Sequence, residues 1–283
     1  EAVGFLYDAT ICIGCKSCMV NCKNYNTMEG GALYTDDGRN MFDWKGPEQI
    51  WDAPRDLSAK TLNIIRAYSD GTEHSFVKRH CMHCVDPGGV SACPVSAMEK
   101  DPKTGVVSYD KDKCIGCRYC QIACPFNVPK FEWEEAFPQI RKCQMCGHRQ
   151  AQGDIPACCE FSPTGASIFG PVKELQKEAE MRLRLRPGSQ YDYPVGKIGS
   201  PTVLPTKVAR YNGSAYGMKE VGGTQYLMLA SLPFEKLGLP VLPEKSYAST
   251  SAGLQHTLYK GMIAPLVVFG GLAFAAFRST RSE

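Results

Sequence analysis

Four cysteines stand within eleven residues near the start of the chain, Cys12-x2-Cys15-x2-Cys18-x3-Cys22. The run recurs as Cys114-x2-Cys117-x2-Cys120-x3-Cys124, followed by Pro125. Thiolates are soft ligands that suit iron–sulfur clusters, zinc and copper(I). In this spacing, three thiolates in one tight loop reach three irons of a cubane, and the fourth leaves in a new direction to serve the other cluster of a pair. The spacing therefore encodes paired clusters. Two looser groups follow the same plan, Cys81-x2-Cys84-x4-Gly89-x3-Cys93-Pro94 and Cys143-x2-Cys146-x11-Cys158-x3-Ser162-Pro163. Each has one non-cysteine at a ligand place: Gly89 in one, Ser162 in the other.

Zinc is the weaker reading, because zinc ribbons use two separated pairs of ligands rather than four cysteines in one short run. A disulfide framework is weaker still, since adjacent C-x2-C-x2-C thiols bridge poorly. Of 15 cysteines in 283 residues, 14 fall in the four groups, Cys159 adjoins the last, and none follows it. A net charge of +3 with 43% hydrophobic residues gives no electrostatic ground for a nucleic-acid partner. No Gly-rich phosphate loop, Ser-His-Asp order or paired-carboxylate signal stands out. An array of one-electron centres without a substrate site is a wire, and the chemistry belongs to a neighbouring subunit.

The elements that position these residues are partly legible. The connection 23–80 reads as an insertion on a small scaffold, and within it Asp70-Gly71 between NIIRAY and SFVKR predicts a β-hairpin leading into Cys81. Between the second and third groups, a turn at Lys103–Gly105 and a strand at Val106–Tyr109 form the connection of a two-cluster ferredoxin. KELQKEAEMRLRLRP, from 173, predicts a solvated surface helix with Glu178–Arg182 and Glu180–Arg184 pairs and Pro187 as its stop. The Pro-, Gly- and Tyr-rich stretch 187–255 reads as an extended arm, with one strand in VGGTQYLMLA (221–230). Gly261 to Phe277 is a run of 17 residues without a charge, the short limit of a membrane span. Tyr259 and Lys260 precede it, and Arg278 and Arg281 follow.

The stretches LYDATICIGCKSC, CMHCVDPGGVSACPVSAMEKDPKTGVVSYDKDKCIGCRYC, ACPFNVPK, GGTQYLML and QHTLYKGM resemble the iron–sulfur electron-transfer subunits of membrane-bound oxidoreductases. This four-cluster family includes formate dehydrogenase β subunits, and within it the likeness is to the HybA-type subunits of membrane-bound uptake [NiFe]-hydrogenases. The resemblance spans most of the chain from 6 to 262. The fold expected is α+β: two pseudo-symmetric bacterial-type two-cluster ferredoxin modules, an extended C-terminal arm and one transmembrane helix. In domains, this is 1–172 for the four-cluster part, 173–255 for helix and arm, and 256–283 for a membrane anchor.

In the family, the first group pairs with the fourth and the second with the third. Carried over, one cluster takes Cys12, Cys15, Cys18 and position 162, and its neighbour takes Cys22, Cys143, Cys146 and Cys158. The other pair is Cys93, Cys114, Cys117 and Cys120, beside Cys81, Cys84 and Cys124 with position 89. At least two of the four clusters are then [4Fe–4S]. Glycine has no ligand atom, so a [3Fe–4S] cluster is expected at Gly89, with Asp86, His83 or water as alternative caps. Ser162 completes a [4Fe–4S] cluster as an alkoxide or leaves a [3Fe–4S] one, and Cys159 is a possible substitute. His83 and His148 beside ligands are expected to hydrogen-bond rather than ligate.

The resemblance implies the small and large subunits of a [NiFe]-hydrogenase as electron donors, and a multi-spanning quinone-binding membrane subunit as acceptor. It also implies a place on the periplasmic face of the bacterial inner membrane after removal of a twin-arginine leader. The C-terminal helix would contact lipid. A formate dehydrogenase or polysulfide reductase wire is the alternative.

Overall fold

The computed structural model describes residues 1–26 and 56–280, and for 252–264 the backbone alone. Half of the insertion expected over 23–80, residues 27–55, and the flanking Arg281 lie outside the described residues. In chain order the elements are β1 (Val3–Asp8), α1 (Ser17–Asn26), β2 (Ile64–Ser69), β3 (His74–Arg79), α2 (Gly88–Ser91), β4 (Met98–Lys100), β5 (Val107–Tyr109), α3 (Tyr119–Ile122), β6 (Lys130–Phe131) and β7 (Ile140–Arg141). They continue with α4 (Gly147–Gln150), α5 (Ala157–Glu160), β8 (Ser167–Pro171), α6 (Val172–Arg184), β9 (Gln190–Pro194), β10 (Gly196–Lys197), β11 (Val203–Lys207), β12 (Tyr226–Leu229) and α7 (Tyr247–Thr280).

A four-stranded sheet in the order β10-β8-β1-β12 holds the middle of the molecule. Phe5, Leu6 and Tyr7 are buried one after another, the mark of a strand covered on both faces. β1 runs antiparallel to β8 and parallel to β12. This pairing matters for chemistry, because Cys12 lies just beyond β1 and Ser162 just before β8. The hairpin β4/β5 does the same for Cys93 and Cys114, and β6/β7 for Cys124 and Cys143. Each antiparallel pair thus brings its two potential ligands to the same end.

The hairpin β2/β3 forms around Asp70-Gly71. Asp70 Oδ1 accepts from the Glu73 N–H at 2.8 Å, the Thr72 N–H at 3.1 Å and Thr72 Oγ1 at 2.9 Å, and Gly71 takes φ +91°, which glycine adopts without strain. The hairpin crosses the central sheet. Tyr7 Oη donates to Phe76 O at 2.7 Å and Tyr226 Oη to Lys78 O at 2.9 Å.

Two stretches expected at the surface are built into the core instead. Helix α6 buries Leu175, Glu178, Ala179 and Arg182, so the Glu178–Arg182 pair is not solvated. Asp8 at the end of β1 supplies the second carboxylate that makes this burial tolerable. The stretch 187–255, expected as an arm with one strand in 221–230, provides β10 and β12 to the central sheet; β12 falls within that expected strand, and Tyr226–Leu229 are buried throughout.

Among the described residues no helix is long and apolar enough to cross a membrane. The stretch 261–277, expected as a span, forms part of the 34-residue α7, which passes through Pro265. α7 begins against α2, where Ser246 Oγ donates to Asp86.

Candidate metal centres

The first C-x2-C step of each of the four groups has the same backbone shape. The third residue of each is left-handed: Gly14 at φ 66°, His83 at 45°, Gly116 at 72° and Met145 at 56°. The turn aims N–H groups at sulfur, from Gly14 to Cys12 Sγ at 3.5 Å, Gly116 to Cys114 Sγ at 3.4 Å and Met145 to Cys143 Sγ at 3.3 Å. At His83 and Met145 a side chain occupies a conformation that costs energy, as happens where function constrains the backbone.

A second shape follows the ligand-proline pairs. Three residues beyond Cys93, Cys124 and Ser162 stand Ser96 at φ 51°, Asn127 at 52° and Gly165 at 67°. The Ala97 N–H donates to Cys93 Sγ at 3.2 Å, and the Ser167 N–H to Ser162 Oγ at 3.2 Å. Ser162 therefore sits in the turn that elsewhere presents a cysteine.

These turns bring the donors together in sets. At a first site Cys12, Cys15, Cys18 and Ser162 line about 300 Å³ of space free of protein atoms. At a second, Cys22, Cys143, Cys146 and Cys158 line about 310 Å³. Cys81 and Cys124 are the neighbouring thiols that bear most on Cys84, and these three form a third set. At a fourth site Cys93, Cys114, Cys117 and Cys120 line about 290 Å³. Gly89 belongs to α2, where a Cβ would lie 3.4 Å from Cys120 O.

The donor sets fit clusters rather than single ions. All fifteen cysteines are free thiols, and among the described residues no three of His, Cys, Asp or Glu stand close enough to hold one metal ion. Zinc would need its sulfurs about 2.3 Å from one atom. The thiols instead face one another across spaces of similar size. Orphaned polar atoms point the same way. His80 lines the second site with Nε2 unpartnered and Nδ1 2.7 Å from Cys81 O. The Val107 N–H donates to His83 Nδ1 at 3.0 Å, so the proton of a neutral His83 is on the buried, unpartnered Nε2.

Other sequence candidates fall elsewhere. Asp86 is engaged by Ser246 at the start of α7. The exposed His148 lies on an open groove with Tyr109 and Arg141. Cys159 is buried next to Cys158 and lines neither the first nor the second space. Sequence reasoning missed Asn26, whose Nδ2 donates to Cys146 Sγ at 3.4 Å, and Lys78. Asn26 stands four residues past Cys22, one helical turn on in α1, and that spacing was a usable signal.

Electrostatics in the metal-free chain follow burial. The Cys18 thiol is pushed up to about 12 and Cys120 to about 11, both chiefly by desolvation. Cys158 goes the other way, down to about 6, because Cys159 donates to it and Lys78 lies beside it. Burial works against the Lys78 ammonium, yet Cys158, Cys159 and Cys18 outweigh it and raise its pKa.

Neighbouring thiols also order the sites. Cys158 of the second site bears on Cys18 of the first, and Cys81 of the third on Cys143 of the second. The Gly89 helix rests on Cys120 of the fourth. Each donor set thus lies beside the next in this order.

Comparison with known proteins agrees with this geometry. Residues 72–172 match the 4Fe–4S dicluster domain. The chain is similar to the hydrogenase-2 operon protein HybA of Escherichia coli O157:H7, with 43% identity over 295 aligned positions covering 100% of this chain and 86% of the relative. The chain belongs to the HybA family of iron–sulfur proteins. The wider kinship includes the nitrate-inducible formate dehydrogenase iron–sulfur subunit of Escherichia coli (strain K12), 31% identical over 96% of this chain and 81% of that one. The formate dehydrogenase iron–sulfur subunit of Haemophilus influenzae is 32% identical over 95% and 77%. The family match carries iron–sulfur clusters to this chain as its cofactors.

Proposed function

We propose that this chain is the electron-transfer subunit of a hydrogenase complex, a relay between a [NiFe]-hydrogenase and a quinone-reactive membrane subunit. The observation that carries the reading is four neighbouring donor sets, which meet at Cys18–Cys158, Cys143–Cys81 and Gly89–Cys120. Bound iron–sulfur clusters supply one-electron redox chemistry there. The chain's own residues hold the centres beside one another, bury Cys18, Cys22, Cys120, Cys146, Cys158 and Ser162 among the donors, and direct N–H groups at sulfur.

In this proposal the second and fourth sites hold [4Fe–4S] clusters on four cysteines each. The first holds a [4Fe–4S] cluster with Ser162 Oγ as its fourth donor, a role supported by the ligand-type turn and the Ser167 N–H. The third, lacking a donor at Gly89, holds a [3Fe–4S] cluster. Helix α7 attaches the chain to the membrane partner and its lipid on the periplasmic face, a reading supported by its exposed apolar side chains.

The test is hydrogen-dependent quinone reduction by the purified complex. Cys117→Ala should abolish it while leaving hydrogen-dependent reduction of an artificial dye by the catalytic partner. Unimpaired quinone turnover would falsify the relay. A formate dehydrogenase assembly is the second reading, favoured by the relatives with 31% and 32% identity. Nickel in the co-purifying subunit supports the first reading, and molybdenum supports the second.

A further inference from the structure

Lys78 is fully buried on β3. Its Nζ donates to Ser167 Oγ at 2.9 Å and stands 5.5 Å from the centre of the Phe5 ring. The charged or ionisable groups that bear on it most are three sulfurs and a phenol: Cys158 of the second site, Cys159, Cys18 of the first site and Tyr226. Ser167, which accepts that hydrogen bond, donates its own N–H to Ser162 Oγ at 3.2 Å. One ammonium thus stands at the junction of two donor sets and reaches the oxygen donor of the first through a single residue.

An isolated buried ammonium is costly in an apolar interior unless an opposite charge compensates it. Thiolate-ligated clusters bring that opposite charge, and their potentials follow net charge and hydrogen bonding. We propose that Lys78 is the shared counter-charge of the first and second sites and raises both of their reduction potentials, keeping the two in step at their junction. The sign follows from charge alone. Each centre becomes more negative by one unit when it takes an electron, so a fixed cation stabilises the reduced form more than the oxidised one. The inference rests on the reading of both sites as iron–sulfur centres.

The test is an EPR-monitored redox titration of the iron-loaded full chain in its complex, with signals assigned by their loss in Cys12→Ala and Cys22→Ala. Iron content and the visible spectrum of the unsubstituted protein test the iron–sulfur reading separately. Lys78→Gln, which retains a donor for Ser167, and Lys78→Met should both lower the two potentials. At the original midpoint, the oxidised-to-reduced ratio should rise at least about tenfold, or about 59 mV for a one-electron couple. Lys78→Arg should restore them, and the Cys114 signal should not move. Loss of iron confined to these two sites in both neutral variants, with retention in Lys78→Arg, supports the same counter-charge at assembly. Unmoved potentials in a fully loaded neutral variant overturn the proposal, as does iron loss in all three variants or an equal shift at the Cys114 site.

Discussion

Arg182 Nη1 lies 3.1 Å from Asp8 Oδ2, with neither side chain exposed. The guanidinium also receives Glu178, whose Oε1 accepts from Nε at 2.8 Å, and Tyr211 Oη donates to the same Asp8 oxygen at 2.7 Å. This network ties the end of β1 to α6 and to the segment after β11. Its other oxygen shapes the approach to the first site, because Asp8 Oδ1 accepts from the Thr10 N–H at 3.0 Å and Thr10 Oγ1 at 2.6 Å, two residues before Cys12.

Removing the cation strands two buried carboxylates. Arg182→Met should therefore cost about 3–5 kcal/mol, as breaking a buried ion pair by deleting one partner does. The check is the apparent denaturant midpoint, followed by far-UV circular dichroism and by visible absorbance. The midpoint should fall, and iron should leave the Cys12 site first. A midpoint equal to that of the unsubstituted chain would show that the network adds no net stability.

At Gly89 the backbone does not require glycine. Its φ is not positive, and an added Cβ would meet Cys120 O, Cβ and Cα at 3.4, 3.6 and 3.8 Å, all ordinary contacts. Gly88 differs, since a Cβ there would come within 2.8 Å of Ala123 O. Gly89→Cys should thus fold and supply the missing thiolate. Iron should rise by about one per chain, with loss of one oxidised [3Fe–4S] spin. Unchanged iron and spin would mean that the third site already has a fourth ligand or never holds a cluster.

Ser162 is tested by opposite substitutions. Ser162→Ala removes the oxygen that accepts the Ser167 N–H at 3.2 Å and should leave the first site one iron short, adding a [3Fe–4S] signal. Ser162→Cys should preserve a four-iron centre with a softer donor. If both variants give the same oxidised EPR spectrum as the original protein, position 162 is not a ligand.

Cysteine spacing made the donor sets legible because ligand loops are local: each C-x2-C turn is specified by residues next to one another. Their pairing was legible only through resemblance, since the contact between Ser162 and the Cys12 loop depends on β1 meeting β8 across the chain. Lys78 left no trace. On an amphipathic strand, a lysine between Val77 and Arg79 reads as an outward cation, and only the thiols around it make burial reasonable. Glu178 and Arg182 show the same limit, because the spacing of an ion pair along a helix is identical whether the pair faces water or Asp8. The hairpin at Asp70-Gly71 was legible because its turn is closed by Asp70 itself.

The last prediction concerns α7. Leu266, Val267, Val268 and Phe269 are consecutive, 58–69% exposed, and successive residues of a helix point about 100° apart, so they cover every face. Leu272, Phe274 and Phe277 continue the apolar surface toward Arg278. A helix that is hydrophobic all round belongs inside other apolar matter. Its start is held by Asp86 and Ser246, beside the Gly89 helix. Truncation after Lys260 removes the apolar half and leaves that anchorage in place. The truncated chain should retain its iron and visible spectrum, move from the membrane fraction to the soluble fraction, and lose hydrogen-to-quinone turnover while its partner still reduces dyes. Full quinone activity in the truncated complex would show that the clusters reach their acceptor through the folded body alone.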